Sequence, residues 1–202
     1  MKVWIVKGDY NGRWCFDAEN SSTSSSLIYD FQDKGIVRDW KKARVSFESG
    51  DKKVDILPIQ NISYFASNPH LFICDTYAKK KIEEKIKYVQ FLQVEPIEKN
   101  IADGTCFYLP NINKVACVLD ESKTKYKYVL DKYISGVEKH YFIESALDNP
   151  IFYLNINNRD HAFLPIYATD EFKDYVEICG ITGFRFKEVF DFDDPDKEYP
   201  LI

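Results

Sequence analysis

Cys74 and the acid that follows it, Asp75, set against His70, His140 and His161, are the residues of this chain best suited to covalent chemistry. A thiolate nucleophile needs a histidine base within reach, and five cysteines and three histidines provide material for one. A chain with this many of both allows such a pairing on paper without any of them meeting. Structural thiols and ordinary histidines are therefore the favoured reading, with a cysteine-dependent hydrolase using Cys74 or Cys117 as the alternative. Asp120, Glu121 and Ser122 follow the apolar VACVL segment and could place a carboxylate pair at a strand end. The same side chains are turn formers, and the turn is preferred. Asp191, Asp193 and Asp194 look like fragments of a calcium loop. The sixth loop position would be Asp196 where glycine is needed, and the twelfth Ile202 where glutamate is needed. The chain has no HExxH, GxSxG, Walker or GxGxxG motif, and its eight glycines are scattered. The expectation is a protein that is not an enzyme, with no catalytic, cofactor-binding or metal-ligating residues and no cofactor.

Whatever these residues do must be positioned by a chain of 202 residues, 45% hydrophobic and 16% aromatic, enough for one sizeable core. One domain over residues 1–202, with room for two lobes, is expected. No window approaches the roughly 20 apolar residues of a membrane span, and the opening MKVWIVKGDYNGRW lacks the apolar core and small-residue cleavage site of a leader. Cys15, Cys74, Cys106, Cys117 and Cys179 form no CxxC pair, which fits free thiols in a reducing cytosol. The net charge of −5 argues against nucleic acid as a partner, since phosphate binding is driven by Lys and Arg.

Two stretches read as one unit written twice. Leu71 to Pro96 is LFICDTYAKKKIEEKIKYVQFLQVEP, and Phe163 to Val189 is FLPIYATDEFKDYVEICGITGFRFKEV. Each runs from an apolar segment through a threonine cap and a helical pattern into an alternating strand. In the second, Thr169 precedes Asp170 and Glu171, and Phe172, Tyr175, Val176 and Cys179 follow at helical spacing until Gly180 stops the helix. In the first, Ala78, Ile82 and Ile86 form the stripe, although Lys79, Lys80 and Lys81 sit where the helix dipole disfavours positive charge. Val89 and Phe91 correspond to Phe184 and Phe186 in the exit strands.

Elsewhere, Met1 to Val6 alternates as a strand, Ser21 to Ser26 reads as a polar loop, and Lys42 to Ile59 reads as a hairpin turning at Ser49 to Asp51. Asn61 to Ala66 reads as a short helical turn. Tyr126 to Leu130, His140 to Ile143 and Ile151 to Leu154 read as short strands. From Glu188 onward, EVFDFDDPDKEYPLI reads as irregular and solvated. The fold class expected is a single α+β domain: a strand-rich mixed or antiparallel sheet, a few short helices and two related strand-helix-strand units.

VDILPI at Val54 to Ile59, YVQFLQVEPI closing the first unit, CVLDESK at Cys117 to Lys123, HYFIE at His140 to Glu144 and the whole second unit stand in an order that resembles immunity-protein family eleven of bacterial polymorphic toxin systems, long known as a domain of unknown function. The resemblance covers about residues 54–189. It implies a cytoplasmic bacterial protein that neutralises a cognate toxin domain, encoded by a neighbouring gene, through direct protein-protein binding, with no cofactor, nucleic acid or membrane involved. A non-inhibitory interaction module linked to toxin or phage-defence genes is a further alternative. For the toxin-binding residues, the acidic tail offers Asp191, Asp193, Asp194 and Asp196 as steering charges and Phe190, Phe192 and Tyr199 as aromatic anchors.

Overall fold

The computed structural model describes residues 1–9, 13–17, 40, 42–49, 61–65, 68–97, 105–112, 115–130, 132–156 and 165–200. The serine run and the second strand expected at Val54 to Leu57 lie outside them. The chain is α+β with mixed and antiparallel sheets. Its strands are β1 (Lys2–Gly8), β2 (Arg13–Asp17), β3 (Arg44–Ser49), β4 (Ile62–Phe65), β5 (Asn68–Asp75), β6 (Val89–Pro96), β7 (Phe107–Ile112), β8 (Val115–Ala116), β9 (Lys125–Val129), β10 (Tyr133–Lys139), β11 (Ile151–Leu154), β12 (Tyr167–Thr169) and β13 (Phe184–Asp191). Helix α1 (Thr76–Lys85) lies between β5 and β6, and α2 (Asp170–Ile178) between β12 and β13.

The two repeats fold alike. β5 and β6 each pair antiparallel with β7, which lies between them, so they run parallel across it. β12 and β13 flank β1 in the same way. Each repeat is thus a strand-helix-strand unit split by one antiparallel strand taken from elsewhere in the chain. The first belongs to a closed barrel in the order β2, β3, β6, β7, β5, β4, and the second to a five-stranded sheet in the order β13, β1, β12, β11, β8.

Side chains alternate between cores because strand residues point to opposite faces. On β5, Leu71 and Ile73 enter the barrel with Val45, Phe47, Leu92, Val94, Phe107 and Leu109. Phe72 and Cys74 point out of it, into a core shared with Ala78, Ile82 and Ile86 of the first unit and with Phe172, Val176 and Ile181 of the second. The far side of the five-stranded sheet is covered by a third cluster, including Val3, Phe142, Phe152, Tyr167 and Phe190.

The helices run antiparallel, since Lys85 at the end of α1 pairs with Glu171 at the start of α2 at 2.5 Å, while Tyr77 near the start of α1 donates to the Cys179 carbonyl beyond α2 at 2.6 Å. The lysines of α1 that oppose its dipole are matched locally, Lys79 to Glu83 at 2.6 Å and Lys81 to Glu84 at 2.9 Å. The cap of α1 is Asp75, whose Oδ1 accepts from the Ala78 N–H at 2.8 Å, and not the expected threonine. Thr76 instead donates its hydroxyl to the Cys106 carbonyl at 3.2 Å. Thr169 does occupy the cap position of α2, but its side chain makes no capping bond.

Three expectations are corrected. The helical turn expected at Asn61 to Ala66 is not found over its described residues, 61–65: Ile62 to Phe65 is β4, where Ile62 and Tyr64 are buried and the strand pairs with β5. His140 to Ile143 carries a single bridge, Leu119 to Phe142, because the strand lies earlier, at β10, where it pairs with β9. The tail is ordered further than expected, since β13 runs through Asp191 along β1. Among the described residues, no helix is long and apolar enough to cross a membrane.

Candidate binding surface

β13 carries the chain out of the third core and onto the surface, and Glu188 is where the segment beyond it is tied back. Its carboxylate accepts from Lys2 Nζ at 2.9 Å, Lys197 Nζ at 2.6 Å and Tyr199 Oη at 3.0 Å. Burial would raise the pKa of this acid. The three donors, Lys197 foremost, outweigh it and hold the carboxyl at about 2, well below its ordinary 4.5. A second anchor lies further on, where Asp196 accepts from Tyr141 Oη at 2.8 Å and pairs with Lys139 at 3.5 Å. Those contacts, the tyrosine hydrogen bond first, lower the Asp196 pKa.

The residues expected to meet a toxin therefore divide into two groups. Phe190 is 3% exposed and packs against Phe142 at 5.5 Å, so it is a core residue and cannot serve as a surface anchor. Its place in β13 puts it on the apolar face beside Val189, where burying an aromatic is worth more than displaying it. Asp191 is also turned inward: 8% exposed, it pairs with Lys2 at 3.4 Å and accepts from the Asp193 N–H at 3.0 Å. Phe192 is half-buried edge-on to Phe190 at 4.9 Å, and Tyr199 is half-buried against Glu188. Asp193, Asp194 and Asp196 remain exposed, the side chains of Asp193 and Asp196 at 87% and 85%. The structure thus brings three carboxylates together on one short turn and withdraws the fourth.

Glu188, Lys2 and Lys197 are the positioning residues that sequence reading missed. The nine-residue spacing of Glu188 and Lys197 has no periodicity to flag it, and Lys2 stands at the other end of the chain.

Of the covalent candidates, Cys74 and His140 belong to different cores, and His161 lies outside the described residues. Cys74 lies in the core at 0% exposure, and burial first, then the charge of Asp75, pushes its thiol pKa up, leaving no thiolate to act as nucleophile. His140 is 4% exposed, stacked on Phe142, with Nε2 2.9 Å from the Tyr167 hydroxyl. Burial, helped by the charge of Lys187, lowers its pKa to about 4. Cys117 is exposed. Asp120 makes the expected turn, its Oδ1 accepting from the Ser122 N–H at 3.1 Å and hydroxyl at 2.6 Å. Among the described residues, no three His, Cys, Asp or Glu side chains group as metal ligands. No family model matches the chain, and no curated protein matches it in sequence. The family resemblance is carried by the quoted motifs alone.

Proposed function

We propose that this chain is a cytoplasmic immunity protein that neutralises a cognate bacterial toxin domain by binding it, without catalysing a reaction. The observation that carries this reading is the C-terminal turn, where Asp193, Asp194 and Asp196 face solvent on a segment held by Glu188 and Tyr141. Exposed carboxylates on a fixed backbone suit a binder, because the geometry is set before the partner arrives and little ordering is left to complete on contact. Their field steers a basic partner surface toward the turn. The motif order over residues 54–189 adds the toxin as the partner.

The test is co-expression rescue. The toxin domain encoded by the neighbouring gene is expressed in bacteria with and without this chain, growth is scored, and the complex is purified. Specific rescue with co-purification supports immunity by binding. Binding without rescue would replace it with a non-inhibitory interaction module, and rescue that requires the Cys117 thiol would replace it with an enzyme.

A further inference from the structure

β9 and β10 form a two-stranded sheet of their own. Tyr126 and Val137, paired across it, hold its base against the third core, and Ile134, opposite Tyr128, is partly buried there too. Beyond that base the tip is bare: Tyr128 is 53% exposed, Val129 50%, Leu130 84% and Tyr133 48%. Leu130 at the apex also has φ 55, in the left-handed region that glycine or asparagine adopts far more readily. Such a backbone strains an ordinary residue. A leucine there is doubly unfavourable for the isolated chain, strained at the backbone and apolar in water. Both features make sense once the side chain is covered.

The charge around the tip says by what. Residues 125–139 carry Lys125, Lys127, Lys132 and Lys139 against Asp131 and Glu138, a local positive excess in a chain of net −5. Lys125 and Lys127 alternate with Tyr126 along β9, on the face away from the core, and Lys132 Nζ lies 5.8 Å from the Tyr133 ring centre. Lys139 reaches back to Asp196, so the basic hairpin and the acidic turn meet at that ion pair.

We propose that the hairpin tip inserts Leu130, flanked by Tyr128 and Tyr133, into an apolar cleft of a partner protein whose rim carries carboxylates facing Lys125, Lys127 and Lys132. The most projecting residue, Leu130, and Val129 beside it offer bases no stacking face and suit an apolar cleft, so a protein fits better than a nucleic acid. The inference rests on the binding function proposed above, with the toxin domain as the partner, and assigns that contact to a second element besides the acidic turn.

The test measures affinity of the full-length chain for the toxin domain of the neighbouring gene, using Leu130→Gly alone and with Tyr128→Ser. Glycine suits the left-handed backbone, so L130G keeps or raises the thermal midpoint, and lost binding is not lost folding. The expected result is a Kd at least tenfold weaker for L130G, weaker again for the double variant, and slower association when Lys125, Lys127 and Lys132 become Gln. If wild type and the double variant bind the toxin domain within twofold of each other, the hairpin assignment is overturned while the binding function stands. If wild type does not bind at all, both fall. Self-association abolished by L130G, or single-stranded oligonucleotide bound through Tyr128, also overturns it, by giving the tip to a second copy or to nucleic acid.

Discussion

Asn61 and Thr182 exchange hydrogen bonds across the junction between barrel and sheet: the Thr182 N–H donates to Asn61 Oδ1 at 3.0 Å, and the Asn61 N–H to the Thr182 hydroxyl at 3.3 Å. The next residue along extends the join, with the Ile62 N–H donating to the Thr182 carbonyl at 3.1 Å. Asn61 Nδ2 also donates to Asp75 Oδ2 at 2.9 Å, linking the junction to the residue that caps α1. One side chain thus couples the turn after the helix of the second repeat to the helix start of the first.

Gly183 makes that closeness possible. Its φ is +102, and a Cβ there would lie 2.6 Å from the Ile62 carbonyl oxygen, a backbone atom with little freedom to retreat. Gly183→Ala combines a clash with a disfavoured backbone and is expected to lose about 2–4 kcal/mol, read as a lower denaturant midpoint at unchanged slope. Asn61→Ala, which removes bonds without adding atoms, is expected to lose about 1–2 kcal/mol.

Glu188 sets the order of the C-terminal segment. Its carboxyl titrates below its unfolded value, so its contribution is complete above pH 4.5 and is lost as pH falls toward 2. Amide exchange from Phe192 to Tyr199, corrected for intrinsic rate, is expected to accelerate between pH 4.5 and 2.5. Glu188→Gln is expected to show the same acceleration already at pH 7, with a small change in global stability. Protection that is equal in both proteins at pH 7 would mean that other contacts hold the segment.

The helical halves of the repeats were legible in the sequence because helix signals are local. Phe172 and Val176 fall at 3.6-residue spacing, and Gly180 ends α2 with φ +66. Met1 to Val6 was legible as the strand that becomes β1, but the splitting of the repeats by β1 and β7 was not, since both reach their places by long-range pairing that no window contains. The tail failed for the same reason. Asp191 reads as one more solvated acid until Lys2, from the opposite end of the chain, is placed beside it. Phe190 reads as a free aromatic until Phe142 is placed beside it. The cap of α1 shifted by one residue because Asp75 and Thr76 are both good caps, and the Cys106 carbonyl claims the threonine.

His140 gives the fold a sensitivity to mild acid. It is buried and neutral with a pKa near 4, whereas in the unfolded chain it takes a proton near 6.5. The unfolded state therefore binds the extra proton between those values. Stability is fully present above pH 6.5 and falls by about 3 kcal/mol as pH drops to 4. Replacing both partners, His140→Phe with Tyr167→Phe, leaves no stranded hydroxyl and is expected to flatten this part of the stability profile. A slope unchanged in the double variant would place the acid sensitivity elsewhere.

The acidic turn makes a kinetic prediction that depends on which carboxylates are changed. Asp193, Asp194 and Asp196 are exposed, so converting all three to Asn removes charge from the surface with little effect on the core, and an Asn amide oxygen at 196 can still accept from the Tyr141 hydroxyl that anchors the segment. Long-range attraction acts mainly on encounter, so the association rate with a basic toxin surface is expected to fall about tenfold at low salt, and its dependence on salt to flatten. The dissociation rate should move less. Asp191→Asn behaves differently, because Asp191 faces Lys2 and holds the Asp193 N–H: it is expected to lower stability and leave the association rate within twofold of wild type. Stopped-flow association at several salt concentrations, paired with thermal melts, separates the two classes. An unchanged association rate in the triple variant would remove the turn from the encounter surface.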